Sequence, residues 1–87
     1  MRKGTIENWQ EVDVFGTTRI AGHVYGCGSF REGTEFITSP VIKYHTIMGQ
    51  MIVETESGSM YQLGKPAEQD RTFKEIVSDH LRSSGAN

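Results

Sequence analysis

The chain predicts an α+β fold: a small bent antiparallel β-sheet of about four or five strands, followed by a C-terminal α-helix. Three observations lead there. Short segments with apolar residues at every second position recur between Glu11 and Gly64. Glycine-bearing turns separate them. From Ala67 onward the apolar spacing changes to that of a helix. At 87 residues there is room for a single domain, 1–87, β-rich over 11–64 and helical over about 67–83.

In order, residues 1–10 read as a loosely ordered start, with Trp9 as an anchor into the core. Glu11-Val12-Asp13-Val14-Phe15 alternates polar and apolar, a strand pattern, and Gly16-Thr17 turns the chain. Thr18 to Tyr25 is a second strand. Its alternation falters at Ala21-Gly22, where a bulge or a close backbone approach fits. Gly26-Cys27-Gly28-Ser29 is a turn; it lacks the lysine and the following helix of a phosphate loop. Thr34 to Lys43 is rich in β-branched and aromatic residues, and Pro40 marks a bulge or an edge within it. Tyr44 to Met48 leads to a turn at Gly49-Gln50. Met51 to Glu56 and Ser59 to Leu63 are the next strands, joined at Ser57-Gly58 as an antiparallel meander. Phe73, Ile76, Val77, His80 and Leu81 then form one helical stripe. Pro66 suits the helix start, Glu68 and Asp70 suit its positive end, Arg82 lies near the other end and Gly85 is the stop.

Bulk composition narrows the function classes. Net charge is -2, which argues against a polymeric nucleic-acid partner but leaves room for a small phosphorylated ligand. No apolar run is long enough to span a bilayer, and no signal peptide is expected. The single cysteine, Cys27, excludes an internal disulfide, reads as a small buried hydrophobe and points to a reducing cytoplasm. A domain this small buries roughly 60–65% of its unfolded surface, so self-association would help it. His23, His45 and His80 lack metal-pair spacing, and no nucleophile with its base is legible. No catalytic residue, metal or cofactor is therefore expected, and Glu54 and Glu56 read as a solvated face.

One cluster is more informative: Phe30, Arg31, Thr38, Ser39, Ser57, Ser59 and Tyr61. Hydroxyls both donate and accept, and glycine lets backbone N–H groups approach a ligand. Phe30 and Tyr61 offer planes for a nucleobase. Arg31 or Arg19 offers the guanidinium fork that phosphates prefer. Ordinary turn chemistry, with Phe30 and Tyr61 in the core, accounts for the same residues.

The pattern Phe30, Gly33, Thr38-Ser39-Pro40, Thr55, Ser57-Gly58-Ser59, Tyr61 and Leu63-Gly64 resembles the first family of phage Thoeris anti-defence proteins. The resemblance covers about 35 of the 87 residues. It implies a non-enzymatic sponge in the host cytoplasm, capturing a cyclic ADP-ribose-type signal or a cyclic oligonucleotide in pockets of a homo-oligomer. It implies Phe30 as the stacking residue, Thr38 and Pro40 in one pocket wall, and Ser57–Tyr61 in the other. The alternative is a protein-binding, anti-CRISPR-type inhibitor of a bacterial immune effector, with Glu32, Glu35, Glu54 and Glu56 imitating phosphates.

Overall fold

The computed structural model describes residues 2–69 and 71–84. Six strands run β1 (Arg2–Val14), β2 (Thr17–Tyr25), β3 (Thr34–Ile37), β4 (Val41–Ile47), β5 (Gln50–Thr55) and β6 (Met60–Leu63), followed by helix α1 (Phe73–Ser84). They form one sheet in the order β3-β2-β1-β6-β5-β4. The α+β expectation holds, and two of its details are corrected. There are six strands, and the sheet is mixed, because β1 and β6 pair in parallel, with Thr5 opposite Gln62 and Ile6 opposite Leu63. Residues 2–10, expected to be loose, are the first two thirds of the longest strand.

The two edge strands, β3 and β4, are joined by only Thr38-Ser39-Pro40. A flat sheet of six strands would hold its edges about 24 Å apart at the usual strand spacing. The four residue steps from Ile37 to Val41 reach at most about 14 Å. The sheet therefore curls until its edges meet. Hydrogen bonds on both sides mark the join: Thr38 N–H donates to Ile20 O at 2.9 Å, and Glu56 N–H donates to Pro40 O at 2.8 Å. The single strand expected over Thr34–Lys43 is therefore two, β3 and the start of β4, and Pro40 lies in the link between them rather than within a strand.

Each face of the curled sheet carries its own apolar cluster. Inside the curl are Ile6, Ile20, Val24, Cys27, Val53, Tyr61 and Leu63, with Trp9 and Phe36 against them. Outside, Val12, Val14 and Ala21 meet Ile76, Phe73 and Ile37 beneath the helix. β1 serves both clusters because it carries a bulge. Glu7 faces His23 and Gln10 faces Ala21, so three steps on β1 match two on β2. Asn8 takes a left-handed φ of 54° at this point. The extra residue inverts the strand's alternation, so Ile6 points inward whereas Val12 and Val14 point to the helix.

The helix starts at Phe73, later than expected. Pro66 and Ala67 run on beside β1 instead, with Ala67 N–H donating to Trp9 O at 2.8 Å. Thr72 then caps the helix. Its N–H donates to Glu75 Oε1 at 2.8 Å, and its Oγ1 accepts from Glu75 N–H at 3.2 Å, a capping box. Of the expected stripe, Ile76 is buried and Leu81 is 62% exposed. Asp70 and Gly85 lie outside the described residues, as do the side chains of His80 and Arg82.

Candidate functional site: the sheet seam and the Phe30 platform

The hydroxyl residues gather at the seam where the sheet closes. Thr38 Oγ1 accepts from Ile20 N–H at 3.0 Å and donates to Ser39 O at 2.7 Å. Ser39 Oγ accepts from Ser57 N–H and donates to Ser57 Oγ, both at 3.2 Å. Ser57 Oγ also donates to Ser59 Oγ at 3.3 Å and lies 3.2 Å from Thr55 Oγ1. The turn from Thr55 to Ser59 closes with Gly58 N–H donating to Thr55 O at 2.9 Å, where Gly58 takes a φ of 87°. These residues come from two distant turns, and the curl brings them face to face.

Burial divides them. Thr38 is 3% exposed, so its hydroxyl is committed to the seam and not turned to a pocket. Ser57 is exposed, and Ser39, Pro40 and Ser59 are half-buried. Arg19 braces the same place, donating from Nη1 to Thr38 O and from Nε to Thr17 Oγ1, each at 3.3 Å.

Phe30 and Arg31 lie in the loop between β2 and β3. That loop is tied by Gly33 N–H to Val24 O at 2.7 Å and by Gly26 N–H to Glu32 Oε1 at 2.6 Å. Phe30 is 40% exposed and rests on Phe36, with ring centroids 5.2 Å apart. Phe36 in turn meets the edge of Tyr61 at 5.4 Å. Tyr61 itself is 7% exposed, so it supports the stack from below and presents no plane to a ligand. Burial raises the Tyr61 hydroxyl above its ordinary range, opposed by a hydrogen bond with Ser59. A continuous line therefore runs from Phe30 through Phe36 and Tyr61 to Ser59, Ser57 and Ser39. Arg31 is exposed beside Phe30.

A second concave region escaped the sequence reading. A cleft of about 440 Å³ opens between the middle of β1, the β4–β5 hairpin and the chain after β6. Trp9, Tyr44, Met51, Pro66 and Ala67 wall it, with Gln10 and Glu11 on its polar side. Tyr44 donates its hydroxyl proton to Glu11 Oε2. Burial, then the bond to Glu11 and its charge, raise the Tyr44 hydroxyl well above the usual tyrosine range. Only the meeting of side chains from three strands and the chain after β6 assembles this cleft, so no local spacing announces it.

The two tyrosines set an alkaline limit on stability. A raised folded-state value leaves their contribution intact below the ordinary tyrosine value of about 10. Above it the unfolded chain releases protons that the fold retains, so stability is lost as pH rises. The melting temperature followed by circular dichroism is expected to fall progressively above about pH 10, and Tyr44→Phe is expected to shallow the fall. A melting temperature that the substitution leaves equally pH-sensitive would remove Tyr44 from this account.

Among the described residues, no three histidine, cysteine, aspartate or glutamate side chains converge as metal ligands. His45 Nε2 lies 3.0 Å from Glu54 Oε1 instead. Among the described residues, no helix is long and apolar enough to cross a membrane. No protein family, curated protein or solved structure matches this chain.

Proposed function

We propose that the protein binds a small cyclic nucleotide and sequesters it without turnover, as a phage counter-defence protein acting on a host immune signal in the cytoplasm. The observation that carries this reading is the Phe30 platform. An exposed aromatic ring rests on Phe36, which is itself backed by Tyr61; the next residue along the chain is the exposed Arg31, and a line of hydroxyls leads away from Tyr61. That order suits a ligand with a base at one end and ribose and phosphate along its length. The base stacks on Phe30. Ser39, Ser57 and Ser59 meet the sugar and phosphate oxygens, and Arg31 or Arg19 answers the charge. A homo-oligomer would supply walls that the open surface around Phe30 lacks; the cyclic ADP-ribose-type and cyclic oligonucleotide classes rest on the resemblance of the Phe30–Gly64 stretch.

Phe30→Ala is the direct test. Calorimetric titration of cyclic ADP-ribose isomers and cyclic dinucleotides is expected to show an affinity loss of about 1–3 kcal/mol for the variant. Recovery of intact ligand from denatured complex is expected alongside. Equal affinity for variant and parent would remove Phe30 from the site, and recovery of hydrolysed ligand would replace sequestration with catalysis.

A further inference from the structure

The cleft between Trp9 and Tyr44 carries a specificity that the seam does not. Most of its side-chain hydrogen-bond donors are already committed. Trp9 Nε1–H donates to Gly64 O at 3.0 Å, and Trp9 N–H donates to Lys65 O at 3.3 Å. Ala67 N–H is taken by Trp9 O, Pro66 has none, and Tyr44 gives its proton to Glu11. Gln10 is 7% exposed and bonds Arg71 through both ends of its amide, donating to Arg71 O at 2.7 Å and accepting from Arg71 N–H at 3.0 Å. No lysine or arginine lines the cleft. What remains toward its interior is two aromatic rings, a thioether, a proline ring and one carboxylate, Glu11.

That inventory discriminates sharply among ligands. A phosphate or carboxylate would meet a like charge, with no cation and at most the second amide N–H of the buried Gln10 to answer it. A neutral apolar group would fill the volume and leave the Glu11 charge unanswered. An ammonium ion dressed in alkyl groups satisfies every wall at once. Its positive charge meets the two aromatic rings and the carboxylate, its methyl groups meet Met51 and Pro66, and it asks for few hydrogen-bond acceptors. The cleft, at about 440 Å³, is in the size range of small-molecule sites.

We propose that the Trp9–Tyr44 cleft is a binding site for a small free alkylated ammonium compound, with Glu11 as its counter-charge. The site is separate from Phe30 and does not depend on the nucleotide reading. Trp9 is the single tryptophan, so its fluorescence reports on the cleft directly. Choline is the probe, titrated against sodium chloride at matched ionic strength. Its neutral isostere 3,3-dimethylbutan-1-ol and a trimethyl-lysine peptide are run in parallel.

Choline is expected to give a saturable change in the millimolar range, with the neutral alcohol weaker by about tenfold. Glu11→Gln is expected to weaken choline by about fivefold or more while leaving the alcohol unchanged. Phe30→Ala is expected to leave the choline response intact. Glu11 is exposed, and a thermal melt checks that the glutamine variant is folded. Equal binding of choline and alcohol overturns the charge assignment, as does indifference to Glu11→Gln. Tighter binding of the peptide than of choline replaces the free compound with a protein side chain. Absence of a saturable fluorescence change, together with unshifted Met51 methyl resonances, overturns the site itself.

Discussion

Gly22→Ala is expected to destabilise the protein by about 3 kcal/mol, lowering its melting temperature by roughly 12–24 °C. The cause is not φ but space. Gly22 lies between the two residues of β2 that face the β1 bulge. A Cβ there would stand 2.5 Å from Ile6 Cγ2, 2.9 Å from Glu7 O and 3.1 Å from Trp9 Cα. Two of those three atoms are backbone, so no side-chain rotation relieves the clash. The bulge would have to move, and the bulge is what aims Ile6 into one cluster and Val12 and Val14 into the other. The damage therefore reaches both sides of the sheet. Gly28→Ala is the control: nothing lies within 4 Å of its Cβ, and the expected change is within about 0.5 kcal/mol. Chemical denaturation of the three proteins measures both. A cost below about 1 kcal/mol for Gly22→Ala would mean that the bulge adapts freely.

Gly22 also shows how far local pattern reaches. A break in alternation at Ala21-Gly22 announces a close approach, and the structure has one. The extra residue, however, sits on the partner strand at Asn8-Trp9, where nothing in the sequence singles it out. The same bulge hides the front of β1. Residues 2–10 hold few apolar side chains in alternation, because the strand gains its order from neighbours on both sides, β2 and β6. The parallel pairing with β6 joins residues more than fifty positions apart, beyond any turn signal. Hairpins, by contrast, were legible: β4–β5 and β5–β6 run antiparallel, as the turns at Gly49 and Gly58 imply. Pro66 misplaces the helix start; the signal that marks it is the capping pair Thr72 and Glu75, which the spacing of the apolar stripe passes over.

The site divides along the same line. Hydroxyls at Thr38-Ser39 and Ser57-Gly58-Ser59 were identifiable by type, and the fold does bring the two groups together. Which of them faces solvent was not legible, since that depends on how tightly the seam closes. Thr38 and Tyr61 lie inside it, while Phe30 and Ser57 stay accessible. The Trp9 cleft draws on four separate segments, none with a distinctive spacing, so composition and periodicity pass over it.

Gln10→Ala is the second large effect, expected at about 2–3 kcal/mol. Gln10 is a polar side chain buried beneath the point where the chain enters the helix. Its amide takes both backbone groups of Arg71, imitating one rung of a strand ladder where no strand is present. Alanine leaves that N–H and C=O unanswered in a half-buried setting, and each such group is costly. Arg71 is itself a brace, donating to Glu35 Oε2 at 2.6 Å and to Asp79 Oδ2 at 2.7 Å, so that it ties β3 to the helix. Those two hydrogen bonds raise the guanidinium's affinity for its proton further. They can persist only while the backbone of Arg71 stays in place, and Gln10 is what holds it. The loss should accordingly concentrate on the helix. Hydrogen exchange is expected to quicken at amides across α1, Ile76 included, more than at Ile20 or Val24 in β2, because Ile76, buried against the sheet, anchors the helix there. Uniform acceleration through sheet and helix would show instead that the two apolar clusters unfold as one unit, with Gln10 contributing to the whole and not to the docking of the helix.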